Sequence, residues 1–168
     1  MDCLHQLCRT SSLDTAWKKS YPKRMSTFYE AAGGEPVFEV LVTRFFDKVS
    51  KDELLMTMYK AEELEESAWR LKAYLTLLWG GPNDYEPARG KKVRLRVRHM
   101  PFTIDKHARD RWMLHMEESI KSLELAEPVE KEFIERTNQI ADAMQNVFSA
   151  EEKALWHEKH PTKFPRLD

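Results

Sequence analysis

Only five glycines occur in the 168 residues, and their placement constrains the fold more than any other feature: Gly33-Gly34, Gly80-Gly81 and Gly90. Sandwiches and small barrels need frequent turns and use glycine to make them. Two tandem pairs and a singleton leave long uninterrupted stretches, which predicts a few long helices and an all-α fold. Hydrophobic residues make up 42% of the chain and charged residues 33%, enough apolar material for one core and too much for disorder. One domain of this length has no room for a second catalytic module, so redox chemistry that needs a flavin domain must borrow it.

The formal charge of −1 removes any global argument for nucleic acid or an anionic membrane as partner. No run approaches the roughly 18 apolar residues of a membrane span, and the N-terminus lacks a signal peptide's apolar stretch; a cytoplasmic location is the default expectation. Cys3 and Cys8, the two cysteines, both fall in the first ten residues, which argues against a disulfide framework or a cysteine-rich metal site. Residues 1–24 carry Arg9, Lys18, Lys19, Lys23 and Arg24 against Asp2 and Asp14, so they hold +3 and the remainder −4. The apolar pattern begins just after Met25. We therefore expect an extension over residues 1–25 (an added segment or an upstream start), a folded domain over 26–148, and a polar extension over 149–168.

Within that domain a helical pattern starts at Phe28 and ends at Gly33-Gly34. Pro36 then suits the first turn of a second helix over 35–49, where Val37, Leu41, Phe45 and Val49 recur every four residues and Phe38, Val42 and Phe46 widen the stripe. Residues 52–59 make a short third segment ending at Tyr59. Leu64, Ala68, Leu71, Leu75 and Leu78 mark a long amphipathic helix that Gly80-Gly81-Pro82 stops. Residues 83–104 have no comparable periodicity, and a loop of that length in a compact domain is usually functional. Trp112, Met116, Ile120 and Leu123 define another helix, entered near Thr103 or Asp105 as cap. Pro128 opens the last long one, with Phe133, Thr137, Ile140, Met144 and Val147 on one face. Ser149-Ala-Glu-Glu could start a short final helix before Pro161 and Pro165.

Arg89 to Arg98 holds six basic residues and no acid. Arg94, Arg96 and Arg98 alternate with Val93, Leu95 and Val97, a strand-like period of two, whereas Leu95 and His99 at i and i+4 also suit one helical face. A solvated edge or an anion-binding wall explains the run better than a nucleic-acid arm, because aromatic residues for base stacking are not interleaved. His99 precedes Met-Pro-Phe, where Pro101 forces the chain to turn. Taken alone it reads as a satisfied core histidine. Its company points further: an imidazole beside an apolar cavity formed by several helices, with Phe46, Tyr59 and Trp112 able to face it, is what haem ligation requires. His157, Glu158 and His160 resemble a zinc motif only superficially, since the histidines are three apart and Pro161 follows. His107 and His115 read as surface or boundary positions. No nucleophile elbow, phosphate-binding glycine loop or paired-carboxylate signature occurs.

Together these residues resemble the truncated haemoglobins of the second group, built on a shortened two-over-two globin fold. The resemblance runs from about Thr27 to Phe148. It rests on Phe28-Tyr-Glu-Ala-Ala-Gly-Gly, Tyr59, Leu78-Trp-Gly-Gly-Pro, Arg94-Leu-Arg-Val-Arg-His-Met-Pro-Phe and Arg109-Asp-Arg-Trp. It implies haem b (iron protoporphyrin IX) as cofactor and His99 as the proximal iron ligand. It further implies a distal pocket of Phe46, Tyr59, Ser67, Leu71 and Trp112, and haem contacts from Arg70, Tyr74, Leu75, Arg98 and Phe102. Arg70 and Arg98 match residues that meet the haem propionates, as guanidinium groups bind carboxylates bidentately.

Three departures stand out. Phe46 replaces a tyrosine whose hydroxyl usually reaches bound oxygen; Lys60 replaces a proline; and Lys91-Lys92-Val93 is one residue longer than the common pattern. The small ligands implied are O2, NO, CO or peroxide. One reading is oxidation of nitric oxide or reaction with peroxide, supplied by an external reductase. The other is storage, delivery or sensing of a diatomic gas. A third, without haem, is a helical module whose basic loop docks an acidic partner. We expect no nucleic-acid and no membrane partner, and a homodimer is left open.

Overall fold

The computed structural model describes residues 27–90, 93–151 and 154. The extension over 1–25, Lys91-Lys92, His157, Glu158, His160 and the terminal prolines lie outside the described residues. Among the described residues there is no strand, and the helices with both ends described are α1 (Phe28–Ala31), α2 (Glu35–Val49), α3 (Leu64–Leu78), α4 (Tyr85–Arg89), α5 (Leu95–His99), α6 (Lys106–Lys121) and α7 (Glu127–Met144). Two single 3-10 turns, Leu55–Thr57 and Ala61–Glu63, join α2 to α3. The long helices pack as two pairs, α2 with α3 and α6 with α7, and α2 also lies against α6.

Local chemistry sets most helix ends. The Thr27 hydroxyl accepts from Glu30 N–H at the start of α1, and the Asp105 carboxylate accepts from Ala108 N–H at the start of α6, each satisfying an amide that the first turn leaves unpaired. Pro36 and Pro128 occupy the opening positions of α2 and α7. Gly80 holds φ of 85°, and at Gly81 a Cβ would meet Thr76 Cγ2 at 2.7 Å and the Tyr29 ring at 2.8 Å. This glycine pair therefore does more than stop α3. It lets the chain pass close enough for Tyr29 N–H to bond Trp79 O at 3.0 Å, tying α1 to the end of α3.

The core sits between the two helix pairs. Phe133 is fully buried, edge-on to Phe28 at 5.6 Å and tilted against Phe38 at 5.5 Å and Trp79 at 4.7 Å. Replacing Phe133 with alanine is expected to cost about 3–5 kcal/mol of stability, the usual range for deleting a buried aromatic ring. Urea unfolding measures this directly, with an unchanged slope and a lower midpoint as the expected signature.

The structure corrects the sequence reading in two places. Residues 83–104 hold two short helices, α4 and α5, rather than one structureless loop, and the alternating run is settled as helix, with Leu95 and His99 one turn apart. A five-residue helix is too short for periodicity to register: its exposed positions, Arg96 and Val97, are adjacent, while Arg98 is half-buried and lines a cavity. Val147 lies beyond α7 and is 42% exposed, so it is not part of that helix's buried face. His115 lies at the boundary as expected, half-buried with its imidazole against Asp52. Helix begins again at Ala150.

Candidate functional site

A cavity of about 400 Å³ opens between α3, α5, α6 and α7. Its lining includes His99, Phe46, Tyr59, Ser67, Leu71 and Trp112, together with Arg70, Tyr74, Leu75, Arg98 and Phe102. Every residue singled out in the sequence for this site thus reaches one space, although the chain brings them from residue 46 to residue 112.

On one side stands α5. Pro101 and the turn after His99 end this helix, so the imidazole occupies its last position. His99 Nδ1 lies 2.8 Å from the Leu95 carbonyl oxygen. A carbonyl only accepts, so the proton resides on Nδ1 and the lone pair on Nε2. The imidazole is thereby held in one orientation on a cavity wall, with the Phe102 ring 6.4 Å away and edge-on.

On the other side an aromatic cluster forms. Tyr59 follows the first 3-10 turn, and its ring meets Phe46 edge-on at 5.6 Å, while Trp112 sits 5.0 Å from Phe45. Burial pushes the Tyr59 phenol pKa up, and a side-chain hydrogen bond from Trp112 and the charge of Arg70 oppose it. The indole N–H can only donate, so the Tyr59 oxygen accepts from it and its own proton stays available. Phe46 offers no polar atom.

The corner carrying Tyr59 is held by a residue that sequence reasoning missed. Asp52 is 4% exposed; it accepts from Arg111 Nε at 2.5 Å, from His115 Nε2 at 2.6 Å, and from the backbone N–H groups of Leu54 and Leu55 at 3.0 and 3.1 Å. Burial alone would raise its pKa, but the hydrogen bonds from Arg111, His115 and Leu55 outweigh it and hold the carboxyl well below the usual carboxylate range. An acid just before a turn is a cap-like signal in sequence; its partners on α6, some sixty residues away, carry none.

At the cavity mouth the two arginines differ. Arg70 is 3.9 Å from Glu63 and 3.6 Å from Glu66, and it also donates to Ser67 Oγ at 3.3 Å; Lys60 closes on Glu63 at 2.8 Å. Arg98 makes no ion pair among the described residues and donates instead to the Tyr85 hydroxyl at 2.6 Å. Tyr85, buried on α4 and lining the cavity, was also missed, since a lone tyrosine in an aperiodic stretch gives no signal. Trp69 stacks on it at 6.2 Å.

Two pairs of helices enclosing an apolar cavity, with one tautomerically fixed imidazole, define a globin-type architecture on a shortened plan. The chain belongs to the bacterial-like globin family, whose model matches residues 27–146, and its fold is the two-over-two helical sandwich of truncated globins. A thermostable haemoglobin from the actinobacterium Thermobifida fusca is 41% identical and superposes with a TM-score of 0.70 over 74% of this chain and 100% of that one. The group II truncated haemoglobin of Bacillus anthracis is 33% identical, with a TM-score of 0.68 over 73% of this chain and 98% of that one. A group 1 truncated haemoglobin from Tetrahymena pyriformis is 35% identical over 60 residues, 36% of this chain. The chain spans about half the length of the curated relatives it matches. Membership implies a haem cofactor and binding of small gaseous ligands. Among the described residues, no helix is long and apolar enough to cross a membrane.

Proposed function

We propose that this chain is a truncated haemoglobin of the second group that binds haem b through His99 and takes diatomic ligands on the Tyr59 side. The observation that carries this reading is the His99 imidazole, fixed with its Nδ1 proton on Leu95 O and its Nε2 lone pair free on the wall of an apolar cavity. That donor set fits the group: one neutral imidazole, apolar walls and a basic rim. The second-group assignment is supported by the pairing of Tyr59 with Trp112 and by the near-complete coverage of the Bacillus anthracis protein, against partial coverage of group 1 relatives.

The haem would supply ligation of the diatomic molecule and its electrons. The residues supply the rest. His99 holds the iron, and its hydrogen bond to Leu95 O fixes the ring's orientation. Arg98, with no carboxylate partner, is the better candidate to meet a propionate; Arg70 already shares Glu63 and Glu66. Trp112 spends its one donor on Tyr59, which leaves the Tyr59 O–H as the proton held toward a partially negative ligand, and the surrounding aromatic side chains exclude water.

Phe46 removes one donor from that side. Phe46→Tyr is therefore expected to slow oxygen dissociation several-fold, the equivalent of about 1 kcal/mol for one neutral hydrogen bond. Stopped-flow displacement by CO measures it, and an unchanged or faster rate refutes the hydrogen-bond argument. Fewer donors suit turnover better than storage, so we assign the chain to redox chemistry of oxygen with nitric oxide, or of peroxide, fed by an external reductase. Purified protein tests this: slow oxygen release with negligible nitric oxide turnover would replace the assignment by storage or sensing.

A further inference from the structure

The turn that follows His99 is held by one side chain from the far end of the molecule. Asn146, just past the end of α7, donates from Nδ2 to the His99 carbonyl at 3.2 Å and to the Phe102 carbonyl at 2.9 Å, and its Oδ1 accepts from Ile104 N–H at 2.9 Å. Its backbone N–H and that of Val147 both bond Ile104 O, at 2.9 and 3.1 Å. His99, Phe102 and Ile104 all line the cavity. A single amide thus engages three successive points of the segment that carries the imidazole.

We infer that Asn146 is a positioning residue for His99. The Leu95 carbonyl fixes the ring from the N-terminal side of α5; the Asn146 amide fixes the backbone of His99 itself and of the turn beyond it. Within the turn the His99 carbonyl accepts only from Phe102 N–H, at 3.1 Å, and the asparagine amide adds two N–H groups from outside it where an aspartate would supply none. Asn146 lies at the surface, so each bond competes with water. The effect comes from their convergence on one rigid link between α7 and the ligand helix. This inference rests on His99 ligation of the iron.

The test uses full-length protein loaded with haem, with the iron–histidine stretching band of the ferrous protein and the rate of haem transfer to apomyoglobin as readouts. Asn146→Ala is expected to shift or broaden the band and to speed haem loss roughly fivefold, below the range for fully buried outer-shell partners. Asn146→Asp retains the acceptor for Ile104 N–H but loses both donors, and is expected to move the band as far while costing less unfolding stability. Thr27→Ala, which removes the α1 cap far from the site, controls for general destabilisation and should leave the band in place. An unmoved band and unchanged haem loss in both Asn146 variants, with only the melting temperature lowered, would overturn the inference. A band that persists in His99→Ala would instead overturn the ligation on which it depends.

Discussion

Replacing His99 with alanine is expected to abolish stable haem binding, or to remove the histidine signature from the ferrous spectrum. His99 is the cavity residue whose neutral nitrogen lone pair is left free by a fixed tautomer. Losing an outer-shell partner typically costs about 10–100-fold in metal affinity; losing the ligand itself should exceed that. Haem titration of the purified variant, followed by the Soret band with and without dithionite, checks it. His99→Gly with added imidazole should restore a histidine-like ferrous spectrum, because the cavity wall stays intact while the donor returns from solution. An unaltered Soret band in His99→Ala would show that iron is ligated elsewhere.

The second large effect is expected at Asp52, which never touches the cavity. Its carboxylate joins the backbone of the corner before Tyr59 to Arg111 and His115 on α6. Asp52→Ala strands those donors, and breaking such a pair should cost roughly 3 kcal/mol, the low end of the range for a buried one because Arg111 is half exposed. Asp52→Asn keeps the shape and should lose less. Chemical denaturation measures both, and a loss under about 1 kcal/mol in Asp52→Ala would refute the role. The pH dependence has a definite sign. The folded carboxyl titrates below its unfolded value, so its contribution is fully present above the ordinary aspartate range near pH 4 and is lost as pH falls through and below that range. Wild-type stability should drop on acidification in a way that Asp52→Asn does not share.

The corner matters to function because Tyr59 rides on it. A mobile corner would let the Tyr59 hydroxyl leave its contact with Trp112, so Asp52 variants that still fold should also show faster oxygen release.

Much of this molecule was legible in its residue order because helices announce themselves through repetition. The stripe Val37, Leu41, Phe45, Val49 and the series from Leu64 to Leu78 state length and buried face together, and glycine and proline mark where each ends. His99, Tyr59 and Trp112 could be named because they stand in motifs shared with a known family. Short elements were illegible for a physical reason: α4 and α5 have five residues each, little more than one turn, and one turn has no period to detect. The arginine alternation resembled a strand but tracks no buried face of α5, where Arg96 and Val97 are both exposed and Leu95 and Arg98 both half-buried.

Asp52, Tyr85 and Asn146 were invisible for a different reason. A carboxylate, a phenol and an amide acquire their roles only from partners far away in the chain: Asp52 from residues 111 and 115, Tyr85 from Arg98, Asn146 from residues 99 to 104. Residue order alone carried the helical character, the place of the long helices, and a histidine and aromatic residues that line one cavity, since hydrophobic period and motif are properties of neighbouring residues. Only the tertiary structure decided which His99 nitrogen is free, that Trp112 spends its proton on Tyr59, that Arg98 rather than Arg70 lacks a carboxylate partner, and that Asn146 bridges the proximal turn. Hydrogen bonds between residues remote in sequence depend on distances that exist only once the helices have packed.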